Sequence, residues 1–314
     1  MTTEKPIAIV VGASGLVGTA LMDEFHPHYR VVGTYCTRPA AGLIHLDLRD
    51  PAEVRSVLYD LRPEVVLCSA AQPNVELCEV EPEATRQINV IGLQNLLTVT
   101  AGISAGLVYF SSEYVFDGLQ GPYTEQDSCN PLNEYGIQKL ECERMIAAQM
   151  DRFIIGRVSG VYDWEKNGKN FVARFIDTLR SSRTIEVPFD QVITPTFAPS
   201  LARAVRHLVE HSNWDLFHLS GPLPMPRIEF AHLIAETFGL DQSLIVPTPT
   251  SGLKLRATRP RSAGLKTDKA QSLLDFPVLG PGEGLKMMRS SREQKIQVDG
   301  STSAPQKSEE STVL

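Results

Sequence analysis

From Ile7 to about residue 158 the chain alternates short uninterrupted apolar runs with longer amphipathic ones. Ile7–Val11 is β-branched and lacks any polar position, the pattern of a strand buried on both faces. A glycine-rich turn over Gly12–Gly18 follows it, and helical spacing then runs from Leu16 to about Phe25. Further strands are expected over Val31–Tyr35, Leu43–Leu46, Val65–Ser69, Leu107–Ser111 and Phe153–Gly156. Helices are expected over Ala52–Leu61, closing before Pro63, over Pro82–Thr100, and over Pro131–Met150. This alternation predicts an α/β fold: a doubly wound parallel sheet of the Rossmann type.

Beyond about Val158 the pattern loosens. Helices are expected over Phe171–Leu179, Ser200–His211 and Arg227–Phe238, with a strand over Phe217–Ser220 and frequent Pro and Gly between them. The expected organisation is a nucleotide-binding domain over 1–158 and a smaller substrate lobe over 159–288, with segments near 190–212 packing back on the first domain. The tail, 289–314, is rich in Ser, Gln, Glu and Lys with almost no large apolar residues, so disorder is expected there. Its last residues, Thr312-Val313-Leu314, match a PDZ-type ligand, a pattern that chance supplies often. No internal repeat is evident.

Composition narrows the partners. The 314 residues are 42% apolar and 21% charged, ordinary for a soluble globular protein. A formal net charge of −7 and a pI near 5.6 argue against a nucleic-acid surface. No window approaches 18 apolar residues, and the apolar stretch Ile7–Val11 is too short for a signal region, so no membrane association is expected. The five cysteines, Cys36, Cys68, Cys78, Cys129 and Cys142, form no CxxC pair and are odd in number. Reduced thiols and a cytoplasmic location are expected.

Candidate chemistry gathers at the strand ends. Gly12-Ala13-Ser14-Gly15-Leu16-Val17-Gly18 links the first strand to the first helix. The glycines permit a tight turn and close approach of a pyrophosphate, while the amides of Ser14, Gly15, Leu16 and Val17 open a helix N-terminus. After the second strand, Gly33-Thr34-Tyr35-Cys36-Thr37-Arg38 offers no carboxylate for a ribose 2′-hydroxyl. Arg38 instead favours the 2′-phosphate of NADP, with NAD as the alternative. Asp47, followed by Leu48, is placed either to meet the adenine amine or to sit on a surface loop.

Tyr135 and Lys139 are four apart on an expected helix and so share a face. An ammonium beside a phenol lowers its pKa toward the range of a working general acid. Upstream, Phe110-Ser111-Ser112-Glu113-Tyr114-Val115-Phe116-Asp117-Gly118 ends a strand. A hydroxyl there can hold a substrate carbonyl against Tyr135; Ser112 is the first choice, Ser111 the fallback.

These motifs, with Tyr123-Thr124-Glu125, Pro131 to Glu141, Thr194-Pro195-Thr196, Phe217 to Gly221 and Arg259-Pro260-Arg261-Ser262, resemble the extended short-chain dehydrogenase/reductases. Within that group the chain resembles the dTDP-4-dehydrorhamnose reductase family, which also holds the regulatory β subunit of methionine adenosyltransferase. The resemblance spans about residues 7–288. It implies a catalytic triad of Ser112, Tyr135 and Lys139, a cofactor-lining Ser69-Ala70-Ala71-Gln72, and Arg157 at the entry to the substrate lobe. It implies NADPH as cofactor and reduction of a 4-keto group on a nucleotide-linked deoxysugar. The alternative it implies is an NADP-binding regulatory subunit, so a homodimer and a regulatory partner enzyme are the protein partners left open. Departures fall near the sugar site: Ser112 for the usual Thr, Glu113 for Asp, Asp163 for Gly, and Val187–Thr194 without a glycine near Gln191.

Other signals are read as structural. His207 and His211 have metal-ligand spacing but no obvious carboxylate or cysteine partner, and are expected on a solvated helix face. Glu141, Glu143 and Arg144 are likewise expected to be exposed. Cys68 is expected in the core, and Trp164 and Trp214 either pack or contact substrate.

Overall fold

The computed structural model describes residues 4–165 and 170–301, with side chains as far as Arg292. Its strands are β1 (Ile7–Val11), β2 (Arg30–Tyr35), β3 (Leu43–His45), β4 (Val65–Cys68), β5 (Gly106–Ser112), β6 (Phe153–Val158), β7 (Val161–Tyr162), β8 (Ile185–Pro188), β9 (Val192–Ile193), β10 (Thr196–Phe197), β11 (Leu216–His218), β12 (Met225–Pro226) and β13 (Ile245–Thr248). Its helices are α1 (Leu16–Phe25), α2 (Pro51–Leu61), α3 (Val75–Val80), α4 (Pro82–Arg86), α5 (Gly92–Gly102), α6 (Glu134–Gln149), α7 (Phe171–Arg180), α8 (Ala198–Glu210), α9 (Arg227–Phe238), α10 (Asp268–Gln271) and α11 (Pro281–Ser301).

Seven strands form one parallel sheet in the order β3-β2-β1-β4-β5-β6-β11. Apolar side chains alternate across it. Ala8, Val10, Leu67, Val108 and Phe110 pack under α1 and α8. Ile9, Val11, Val66, Cys68, Leu107 and Tyr109 pack under α2, α5 and α6. Both faces are covered, which is why these strands read as continuous apolar runs. The chain winds outward from β1 to β3 and then returns to β4 on the other side of β1. The carboxyl ends of β1 and β4 therefore diverge at a topological switch point, where such sheets bind ligands.

A separate core, containing Tyr162, Phe175, Ile176, Val187, Phe230, Ile234, Leu285 and Met288, joins α7, α9, α11, β8 and β13. The span expected to form this lobe also supplies the sheet with its edge strand β11 and with α8, whose Leu201, Val205 and Leu208 lie in the sheet core. The strands that the sequence pattern missed here are two to four residues long, too short to show a period of two.

Two expectations change. The helix expected over Pro82–Thr100 runs unbroken from Pro82 to Gly102 but widens midway: a π turn occupies Gln87–Ile91 between α4 and α5. The tail expected to be disordered from residue 289 is helical to Ser301, because Leu285 and Met288 bury completely and anchor α11. The Arg, Glu, Gln and Lys that follow propagate a helix well. Residues 302–314, with the Thr312-Val313-Leu314 pattern, lie outside the described residues.

Candidate active site

The turn after β1 is built by its glycines. Gly12 has φ of +85°, and a Cβ there would sit 2.8 Å from the Ala70 nitrogen; a Cβ on Gly18 would sit 2.2 Å from the Gly12 carbonyl oxygen. The loop thus closes on itself and on the end of β4, where the Ser69 hydroxyl donates to the Val11 carbonyl at 3.0 Å. Gly15 caps α1 without any side-chain acceptor. Ser14 is exposed, while Leu16 and Val17 turn their side chains toward the sheet core. Amides at such an uncapped turn are available to an anion.

Beside this loop lies a cleft of about 810 Å³, lined by Ser14, Gly15 and Arg38 from the sheet domain and by Trp164, Asp177 and Arg292 from the lobe. Its size is that of a small-molecule site. Arg38 is where a 2′-phosphate reader was expected. Asp47 is engaged elsewhere: the Arg49 guanidinium donates to both of its oxygens, the closer at 2.6 Å, and holds its carboxyl below the usual range. Leu48 is buried against Gly92, and its carbonyl accepts from Asn95 at 2.8 Å. In this structure Asp47 and Leu48 fix the β3–α2 turn.

At the end of β5, neighbouring hydroxyls point to different partners. Ser111 donates to the buried Glu143 carboxylate on the α6 side of the sheet. The Ser112 oxygen accepts from the Tyr114 amide at 3.2 Å and lies beside Tyr135. The fallback serine is therefore committed to structure, and Ser112 is the hydroxyl grouped with Tyr135.

Helix α6 carries Tyr135 and Lys139 because Asn133 caps it: the Asn133 Oδ1 accepts from the Gly136 amide at 3.0 Å. The Asn133 Nδ2 donates to the Thr258 carbonyl at 2.8 Å, tying this cap to the segment that precedes Arg259. Tyr135 packs edge-on against Tyr114, ring centres 5.9 Å apart, with the Arg259 guanidinium 5.7 Å from the Tyr114 ring.

The Lys139 ammonium stands 5.8 Å from the Tyr135 ring centre, on the face that the spacing predicts. The Lys139 ammonium is buried and donates to the Tyr109 hydroxyl at 3.0 Å and the Phe110 carbonyl at 2.8 Å. Burial raises the Tyr135 pKa, and Cys78, Glu113 and Tyr114 push the same way, with only the Ser112 hydroxyl opposing. Burial also lowers the Lys139 pKa. Spacing brought the two side chains to one face, but β5 offered the ammonium closer oxygen acceptors than the phenol.

Glu143 corrects a second expectation. It is 4% exposed and pairs bidentately with Arg157, at 2.7 and 3.0 Å. The β5–β6 register sets Arg157 directly beside Ser111. Arg157 also reaches Cys129 at 3.1 Å and His218 at 3.4 Å, and His218 bonds the Lys266 carbonyl at 3.0 Å. Burial pushes His218 down to about 4. Glu141 pairs with Arg86, and Arg144 is exposed. His207 is likewise buried rather than solvated: its ring stacks on His211 at 4.0 Å, and its Nε2 bonds the Leu273 carbonyl at 3.0 Å. Trp214 packs on Gly106 and under Arg152.

Several polar residues escaped the sequence reading. Asn89, in the π turn, donates to Gln138 at 2.8 Å and accepts from the Gln72 amide at 2.7 Å, joining the loop after β4 to α6. An amide inside an apolar helical run was its only signal. Glu113 is 5% exposed, and burial raises it to about 7 against the opposing pull of Ser159 and Arg227. Among the described residues, Glu113 Oε2, Arg227 Nε and Ser220 Oγ are buried without a hydrogen-bond partner. Gln191 is buried and donates to Thr250 at 3.0 Å, so the segment lacking the expected glycine is held by a side-chain contact.

Comparison with known proteins matches residues 7–289 to the family model described as RmlD substrate binding domain. Methionine adenosyltransferase 2 subunit beta of Bos taurus is 33% identical over 273 residues, which span 84% of this chain and 81% of that protein. dTDP-4-dehydrorhamnose reductase of Sinorhizobium fredii is 31% identical over 220 residues, spanning 68% and 71%. Among solved structures, dTDP-4-dehydrorhamnose reductase of Bacillus anthracis in complex with NADP aligns with a TM-score of 0.84 and 26% identity, over 91% of this chain and 99% of that one.

Proposed function

Because the chain belongs to the RmlD substrate binding domain family, we propose that it is an NADPH-dependent reductase of a 4-keto group on a nucleotide-linked deoxysugar. The observation that carries this reading is the grouping of Ser112, Tyr135 and Lys139 around the carboxyl end of β5. The dinucleotide fits the residues present: a glycine turn with no room for Cβ atoms, an uncapped first turn of α1, and Arg38 in the adjoining cleft. The Bacillus anthracis relative is described in complex with NADP.

When bound, NADPH supplies hydride to the carbonyl carbon. The protein supplies the proton. Tyr135, with its pKa raised by burial, stays protonated across neutral pH, which is the form needed to protonate the carbonyl oxygen as charge develops on it. Ser112 accepts from the Tyr114 amide, so its own hydroxyl hydrogen can be donated to the same carbonyl and orient it. Lys139 uses two of its three donors on Tyr109 and Phe110; the third can serve a ribose hydroxyl of the cofactor. Lys139 acts in this reading as an anchor and a positive charge for the phenolate left after transfer.

A second reading, an NADP-binding regulatory subunit, is favoured by the β-subunit relative, which matches 84% of the chain. Its partner is then a methionine adenosyltransferase catalytic subunit. The separating experiment is NADPH oxidation with dTDP-4-dehydrorhamnose, comparing wild type with Tyr135→Phe. The reductase reading expects turnover that falls at least about 100-fold in the variant, the span of a general acid. NADPH binding without oxidation of this or related 4-keto sugar nucleotides overturns it. The regulatory reading then stands or falls on co-purification with the catalytic subunit.

A further inference from the structure

The cleft beside the glycine turn has a wall that the family match does not include. Helix α11 continues past residue 289, where the match ends, and its Arg292 lines the cleft with Ser14, Gly15 and Arg38. Arg292 is held there by a fixed platform. Its guanidinium lies 4.4 Å from the Trp164 ring centre. The Trp164 Nε1 donates to the Met288 carbonyl, one turn earlier on the same helix, and its ring abuts Phe238 edge-on at 5.8 Å. Met288 itself is fully buried in the lobe core. A guanidinium held over an indole ring keeps its N–H donors for other acceptors. Planar forked donors of that kind match phosphate oxygens.

We propose that Arg292 is a second cationic ligand for the dinucleotide phosphates, brought by α11 to the cleft that Arg38 lines from the sheet domain. The proposal rests on the dinucleotide reading above and deepens it: cofactor binding fastens the C-terminal helix of the lobe to the sheet domain. The acidic Asp177 and Glu165 line the same cleft.

The test is equilibrium binding of NADPH and NADH to the full chain, with wild type, Arg292→Ala, Arg292→Lys and Arg38→Ala, together with amide hydrogen exchange of α11. Arg292→Ala is expected to weaken NADPH binding about tenfold, as for loss of one charge-assisted hydrogen bond, with Arg292→Lys between it and wild type. NADPH is expected to slow exchange across residues 285–292 in wild type and not in Arg292→Ala. Thermal unfolding of the cofactor-free variants checks the fold; an unchanged midpoint assigns the loss to the ligand. NADPH affinity indifferent to Arg292, or a loss matched by destabilisation of the cofactor-free chain, overturns the proposal. Wild type that binds neither dinucleotide overturns the cofactor reading itself, a result distinct from binding that ignores Arg292.

Discussion

Lys139 donates its ammonium to the hydroxyl of Tyr109, 3.0 Å away in the interior between β5 and α6. This bond holds the ammonium 5.8 Å from the ring centre of Tyr135, four residues earlier on the same helix. Tyr109→Phe leaves a buried ammonium one acceptor short, and an unsatisfied buried donor costs on the order of 1–3 kcal/mol. Urea unfolding is expected to show a loss of that size. An unchanged midpoint would mean that the Phe110 carbonyl and the ring faces satisfy Lys139 alone.

Glu113 gives stability a pH dependence with a definite sign. Its carboxyl is pushed up to about 7 from an ordinary 4.5, so the folded state holds a proton that the unfolded chain has released. Its contribution is complete below about pH 4.5 and is lost as pH rises through 7. The full shift corresponds to roughly 3 kcal/mol. Glu113→Gln is expected to flatten the decline in stability between pH 5 and pH 8, measured by urea midpoints at each pH. His218, held down near 4, acts in the opposite sense. Its neutral form favours the fold above about 6.5, and that contribution fades as pH falls toward 4.

The Glu143–Arg157 pair is 4–5% exposed and bidentate. Removing one partner strands the other. Glu143→Leu is expected to cost about 3–5 kcal/mol, and the double variant Glu143→Leu/Arg157→Met to recover much of it, because a buried pair is about as stable as an apolar replacement of similar volume. Additive losses in the double variant, read from chemical denaturation, would show that the pair's links to Ser111 and His218 matter more than the pair itself.

Arg38 is the residue on which cofactor choice is expected to turn. Arg38→Ala is predicted to weaken NADPH about tenfold or more and to leave NADH within about twofold, since only NADPH carries the 2′-phosphate. Calorimetric titration of both cofactors decides it; equal losses would reassign Arg38 to general electrostatics.

Much of the fold is legible in the sequence. Ile7–Val11, Leu16–Phe25 and Arg227–Phe238 are found where periodicity sets them, because continuous apolar runs and 3.6-residue spacing report burial directly. The glycine turn is legible because strand, turn and helix occur in immediate succession. What escaped was set by tertiary partners. Glu143 reads as a surface acid until β6 brings Arg157 beneath it. The acceptors that β5 supplies to Lys139 lie about thirty residues upstream and leave no local signal. The strands β7, β9, β10 and β12 are two residues each and exist only through pairing with distant segments. Helix α11 outruns its composition because two apolar residues at its start are enough to hold it.

Asn133 ties together two segments that lie far apart in the chain. Its oxygen sets the first turn of the helix bearing Tyr135, and its nitrogen grips the backbone of Thr258 from the segment leading to Arg259. A single carboxamide thus joins the two. The segment leading to Arg259 and the first turn of the helix bearing Tyr135 therefore share one anchor, so a substitution at Asn133 loosens both at once.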